Sequence, residues 1–171
     1  MSRLERIEIE LAPAATEEVR ALVSELEEVL SAEYPPEQRH GLPLDAIFQS
    51  HIRFFLARMD GAAVGCGGVA LLPGFAEVKR MYVREMARGR GAAQALLARI
   101  EAAARDGGLD LLRLETGDRQ IAAMRFYERA GFRRCDPFGA YAVMPPSAIA
   151  TSVFFEKGLP TLAGAPVPGE A

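Results

Sequence analysis

The stretch from residue 76 to 132 constrains this chain most, and its centre is Arg88-Gly89-Arg90-Gly91-Ala92-Ala93. Before it, Ala76-Glu77-Val78-Lys79-Arg80-Met81-Tyr82-Val83 is an apolar-rich run that reads as a strand. After it, Leu96, Leu97, Ile100, Ala103 and Ala104 recur at helical spacing. A strand therefore passes into a helix through small and basic residues. Such a junction leaves backbone N–H groups without intrahelical partners at the positive end of the helix dipole, which suits an anion such as a pyrophosphate. Gly89 and Gly91 let the main chain approach a ligand, and Arg88 and Arg90 add charge. The loop lacks the Lys-Ser or Lys-Thr ending of a nucleotide P-loop and the Gly-x-Gly-x-x-Gly of a dinucleotide turn, so ATP and NAD fit it poorly. Taken alone, the stretch also reads as an ordinary glycine-rich turn.

The elements around it follow from periodicity and punctuation. Residues 4–11 alternate apolar and charged and read as a first strand closed by Pro13. Thr16 is placed to cap a helix with Glu17 and Glu18 in its first turn and Val19, Leu22, Val23, Leu26, Val29 and Leu30 on its buried stripe, ending before Pro35-Pro36. Residues 31–43 are polar and broken by prolines, and 44–50 offer a short second helix. This segment reads either as a surface connection or as one wall of an acceptor cleft. His40 and His51, in or beside it, read as structural or surface residues.

Two apolar runs, 52–59 and 62–72, are joined by Asp60-Gly61, a hairpin signal that needs positive φ. Gly65, Gly67 and Gly68 in the second run point to a bulge or a close backbone approach. Asp106-Gly107-Gly108 stops the helix after the central loop, and 109–116 make another strand, which implies a right-handed parallel crossover. Asp118 is placed to cap a further helix with Ala123, Phe126, Tyr127 and Ala130 on one face and Gly131 at its end. Residues 132–136 and 151–156 read as the last strands.

At 171 residues, half apolar and a quarter charged, the chain suffices for one domain with its own core. That domain is read over 3–157, with 158–171 a Pro/Gly/Ala-rich tail. A net charge of −3 argues against a broad nucleic-acid-binding face. Cys66 and Cys135 form no C-x-x-C pair, so neither a metal site nor a disulfide framework is expected. No run has the pattern of a signal peptide or a membrane span, and the reading is a cytoplasmic protein. Exposed apolar residues near the chain end suggest a homodimer.

Three stretches together resemble the GNAT superfamily of acyl-coenzyme A-dependent N-acyltransferases: Lys79 to Val83, the loop 88–93, and Ala123-Met124-Arg125-Phe126-Tyr127-Glu128-Arg129-Ala130-Gly131-Phe132. The resemblance implies an α/β fold, with a mixed, splayed sheet of about six or seven strands and about four helices. It implies acetyl-CoA as co-substrate, with its pyrophosphate on Arg88, Gly89, Arg90, Gly91, Ala92 and Ala93. Its pantetheine arm would lie along Met81, Tyr82 and Val83, with Phe126 close by. Gln120 stands where many members carry Asn, which puts that side-chain contact in doubt. Tyr127 matches the family's tyrosine near the thioester sulfur, assigned as general acid. Glu77 and Glu115 are candidates for the general base, and each also reads as a solvated strand residue or a partner of Lys79 or Arg113. Lys79 and Arg80 read as solvated strand charges, Phe138 and Tyr141 as cleft residues, and Phe154 as core.

The activity so implied is transfer of an acetyl group to a primary amine by direct attack in a ternary complex, the amine being a small molecule or a protein amino group. A non-catalytic acyl-CoA-binding or regulatory module of the same fold is the alternative.

Overall fold

The computed structural model describes residues 5–160. In chain order the main elements are β1 (Ile7–Leu11), α1 (Glu17–Glu33), β2 (Ile52–Met59), β3 (Ala62–Leu72), β4 (Phe75–Val83), α2 (Ala92–Asp106), β5 (Leu111–Gly117), α3 (Ile121–Arg129), β6 (Arg133–Arg134) and β7 (Ser152–Gly158). The strands form one mixed sheet in the order β1-β2-β3-β4-β5-β7-β6. β4 and β5 are parallel and the other neighbouring pairs antiparallel. Among the described residues no helix is long and apolar enough to cross a membrane.

Local chemistry sets the element ends. Thr16 Oγ1 accepts from the Val19 N–H, and α1 stops at Glu33 because Pro35 holds Tyr34 in an extended conformation. The Asp60-Gly61 turn closes β2 onto β3 with φ of 49° and 89°. Among the described residues three α-helices flank the sheet, where about four were expected. Residues 44–50 are too few to offset the cost of helix nucleation and yield only a 3-10 turn at Leu44–Ala46, anchored by buried Ile47. The expected cap at Asp118 is not made either. The Asp118 N–H is pinned to Thr151 O at 2.8 Å, and α3 begins later, with Gln120 as its N-cap and no side-chain cap bond.

Two cores lie on opposite faces of the sheet. Leu96, Leu97 and Ile100 of α2, with Met124 and Tyr127 of α3, pack against Val78, Val83, Leu112 and Phe155. On the other face Val19, Leu22 and Val23 of α1 pack on Phe54, Leu56 and Cys66. Val29, expected on that stripe, is 40 % exposed. β7 runs through Gly158 and Leu159 is buried, so the folded chain continues past the point where a tail was read. Leu4, and the apolar residues near the chain end on which a homodimer was read, lie outside the described residues.

Two features of β4 create the opening used below. β4 pairs with β5 only at Ala76↔Leu112 and Glu77↔Arg113, after which the strands part. Beside β3 it carries an extra residue: from Gly68↔Lys79 to Cys66↔Tyr82, β3 advances two residues and β4 three. Arg80 takes a left-handed φ of 53° there. The pleat therefore changes phase. Ala76 and Val78 face the α2 core before the bulge, Met81 and Val83 after it, and Lys79 and Arg80 both turn to the other side.

Candidate functional site

At the end of β4 the chain makes a 3-10 turn, Glu85–Ala87, then runs through residues 88–91 into α2. Gly89 and Gly91 have φ of 76° and 96°. At neither would an added Cβ meet anything closer than 3.5 Å, so glycine is needed for its backbone conformation and not for space. The first N–H to bond back is that of Ala95, to Gly91 O at 3.0 Å. The N–H groups ahead of it, at the start of this 15-residue helix, have no intrahelical partner, and Gly91 makes no side-chain cap bond. Arg88 donates from Nε to Val83 O at 3.1 Å, bracing the loop, and Arg90 is paired with Glu5. This turn therefore presents backbone donors more than free arginine charge.

A cavity of about 140 Å³ fills the gap where β4 and β5 separate. It brings together Glu77, Met81, Glu115, Gln120 and Tyr127 from the sequence-predicted set. Val83 and the 88–93 loop follow on from the same strand end and are not part of its wall. Tyr82 turns to α1, where its hydroxyl lies 3.3 Å from Glu25 Oε1. Phe126 packs edge-on against Tyr127, with ring centroids 5.3 Å apart.

The Tyr127 ring is buried among Phe126, Phe132 and Phe155, and its hydroxyl makes no hydrogen bond among the described residues. Burial pushes the phenol well above its ordinary value of 10.0, so it stays protonated. The two carboxylates differ. Glu77 is 5 % exposed and its Oε2 is already taken, by Lys79 Nζ at 2.7 Å and by the Tyr141 hydroxyl at 2.8 Å. Lys79 Nζ also donates to Tyr141 Oη at 3.0 Å, closing a triangle. Among the described residues Glu115 accepts only from Ser152 Oγ, at 2.6 Å on Oε2, and Arg113 pairs with Glu156 instead. Burial pushes the Glu115 carboxyl above its ordinary range, against the lowering effect of Ser152.

Lys79 and Arg80 are not the solvated charges that the sequence suggested. Their side chains are 17 % and 5 % exposed, because the bulge places both under the segment after α1. Part of that segment lines the cavity. Tyr34, Gln38, Arg39, His40 and Gly41 line it, and His40 Nε2 is 2.7 Å from Ala148 O across the cleft. Sequence reasoning missed Tyr34, whose hydroxyl accepts from the Arg119 N–H at 2.8 Å and lies so close over Gly117 that a Cβ there would fall 2.1 Å from it. The bulge did have a signal: the apolar positions 76, 78, 81 and 83 skip one beat at two consecutive charges. Tyr141 lines the cavity as expected, while Phe138 and Phe154 pack with it in a small separate core.

The sheet thus opens in its middle, close to the start of α2. The chain belongs to the acetyltransferase (GNAT) family, whose pattern matches residues 20–132. It is 42 % identical over 140 residues to the IAA acetyltransferase of Azospirillum brasilense, covering 81 % of this chain and 88 % of that one. A candidate acyl-CoA N-acyltransferase of Klebsiella pneumoniae superposes with a TM-score of 0.68 at 33 % identity, over 90 % of this chain and 97 % of that one. A GNAT family acetyltransferase of Elizabethkingia anophelis with acetyl-CoA bound shares the fold, with a TM-score of 0.61 at 18 % identity over 90 % and 98 % of the chains.

Proposed function

We propose that this acetyltransferase takes its acetyl group from acetyl-CoA and passes it to a primary amine in the cavity between β4 and β5, by direct attack. The observation that carries the reading is the shared geometry of that gap. It lies at the end of the strand that feeds the anion seat, and a protonated, unbonded tyrosine lines it. The free N–H groups at the start of α2 would hold the pyrophosphate, with Gly89 and Gly91 fixing their direction. Acetyl-CoA supplies an acyl carbon on a thioester with a thiolate leaving group.

The chain's own residues do the rest. Glu115, with one oxygen free of partners among the described residues and its pKa raised by burial, takes the proton that the attacking amine loses. Glu77 is the weaker base, since Lys79 and Tyr141 already occupy its Oε2, and it acts to hold that wall in place. The bulged backbone of β4 near Met81 offers a donor to the oxyanion. Tyr127 gives a proton to the departing sulfur.

The test is thiol release from acetyl-CoA with a panel of amines. Tyr127→Phe is expected to lower kcat about 100-fold while acetyl-CoA affinity stays at the wild-type level. Unchanged turnover would remove Tyr127 from the acid role.

A further inference from the structure

The cavity has a second charged end that acetyl transfer does not use. Arg39, beyond the end of α1, and Arg80, at the β4 bulge, both line it, and both are held by one carboxylate, Glu27. Two guanidiniums against one carboxylate leave a positive charge uncompensated. Hydrogen bonding is incomplete as well. The Arg80 side chain is 5 % exposed and donates from Nε to Leu42 O at 2.8 Å, yet among the described residues its Nη1 has no acceptor, and the buried Nε of Arg39 has none either. Buried donors are almost always satisfied in folded proteins, and those that are not call for a ligand or another cause.

Arg39 is the reachable member of the pair. Its side chain is 23 % exposed, and its contact with Glu27 is long, at 3.4 Å. On the far side of the same two arginines lies a wider cavity of about 710 Å³, where Arg20 joins them and Glu27 is the acidic residue in the wall. Within a chain of net charge −3 this is a local positive field. The reaction cavity is thus positive at Arg39 and Arg80, while Glu115 offers a free carboxylate oxygen elsewhere in its wall.

We infer that the acceptor is a small aminocarboxylate, held with its amine toward Glu115 and its carboxylate on Arg39, with Arg80 behind. The inference rests on the acetyltransferase reading above and names its substrate class. The amine nitrogen bonds to the acetyl carbon, the carbon–sulfur bond breaks, the amine's proton goes to Glu115, and the thiolate takes one from Tyr127. The substrate carboxylate is unchanged, so its role is binding, and the guanidinium fork suits it in charge and shape.

The experiment compares thiol release from acetyl-CoA using free amino acids, including β-alanine and 4-aminobutyrate, each against its carboxamide. At least one acid is expected to exceed its amide at least tenfold in kcat/KM. Arg39→Gln should raise the KM of that acid roughly 10- to 100-fold, with kcat and the KM of the amide unchanged, and Arg39→Lys should recover part of the loss. Amides that match the acids, an Arg39→Gln variant that weakens both alike, or a panel in which no acid is acetylated would each overturn the inference. Acetyl-CoA binding by calorimetry separates the two levels. If it is tight, the acetyltransferase reading survives the loss of the acceptor class; if it is absent, both fall.

Discussion

The loop at 88–93 and the cavity between β4 and β5 are built by opposite means. The loop is six consecutive residues, and what it presents is main chain: N–H groups at a helix start, aimed by two glycines of positive φ. The cavity is walled by residues of α1 and the segment after it, of 77–81 and 114–117, and by Gln120, Ala123, Tyr127 and Tyr141, distant in sequence and joined by the sheet. A main-chain site is written in one contiguous pattern and tolerates change in most of its side chains. A side-chain site depends on the fold to assemble it, and each residue in it can be exchanged to change what binds. The contrast suits an enzyme with a constant donor and a variable acceptor.

Three measurements would sharpen or break that contrast. The largest effect is expected from Gly91→Glu, which forces a side chain into a φ of 96° and sets a negative charge at the α2 N-terminus. Acetyl-CoA binding should be abolished in calorimetry while the circular dichroism of the fold persists. Tight binding by that variant would show that the seat is not made of backbone donors.

Glu115→Gln should come next, with kcat down about 100-fold and acetyl-CoA affinity unaltered. Its pH profile carries more detail. Burial raises the Glu115 carboxyl above 4.5, so the base is lost as pH falls through that raised value, and the acid limb of kcat/KM should lie above the ordinary glutamate range. In the variant that limb should vanish. Stability runs the other way. Between the two values the native state keeps a proton that the unfolded chain has released, so stability falls as pH rises, and the Gln variant should lose that slope in Tm.

The smallest effect should come from Tyr34→Phe. The hydroxyl that accepts from the Arg119 N–H disappears, and Tm should drop by about 3 °C. A loss of acetyl-CoA affinity in this variant would mean that the two regions are less separate than their construction suggests.

The difference between the regions also explains what could be read in advance. The loop, the Asp60-Gly61 hairpin and the Thr16 cap were legible because each is decided by a few neighbouring residues. The family resemblance drew on the same loop and on two further local stretches, Lys79 to Val83 and residues 123–132. Arg80 was misread because its burial is set by α1 and by the chain at Gly41, which lies flush against its guanidinium, and neither is adjacent in sequence. Glu77 and Glu115 looked alike on paper. Tyr141, more than sixty residues after Glu77, and Ser152, on the neighbouring strand, tell them apart. Asp118 lost its capping role to a bond with Thr151, again a partner that only the folded sheet provides.

The bulge at Arg80 makes β4 a strand of two parities. Odd-numbered Phe75, Glu77 and Lys79 look away from α2 before it, and even-numbered Tyr82 and Arg84, both bound to Glu25 of α1, do so after it. The length of this strand is therefore part of its information content. Removing a single residue near Arg80 would leave the composition almost untouched, yet it would turn Met81 and Val83 out of the core and drive Tyr82 and Arg84 into it. Substitutions here edit one letter, whereas a deletion shifts the reading frame of a whole wall of the enzyme.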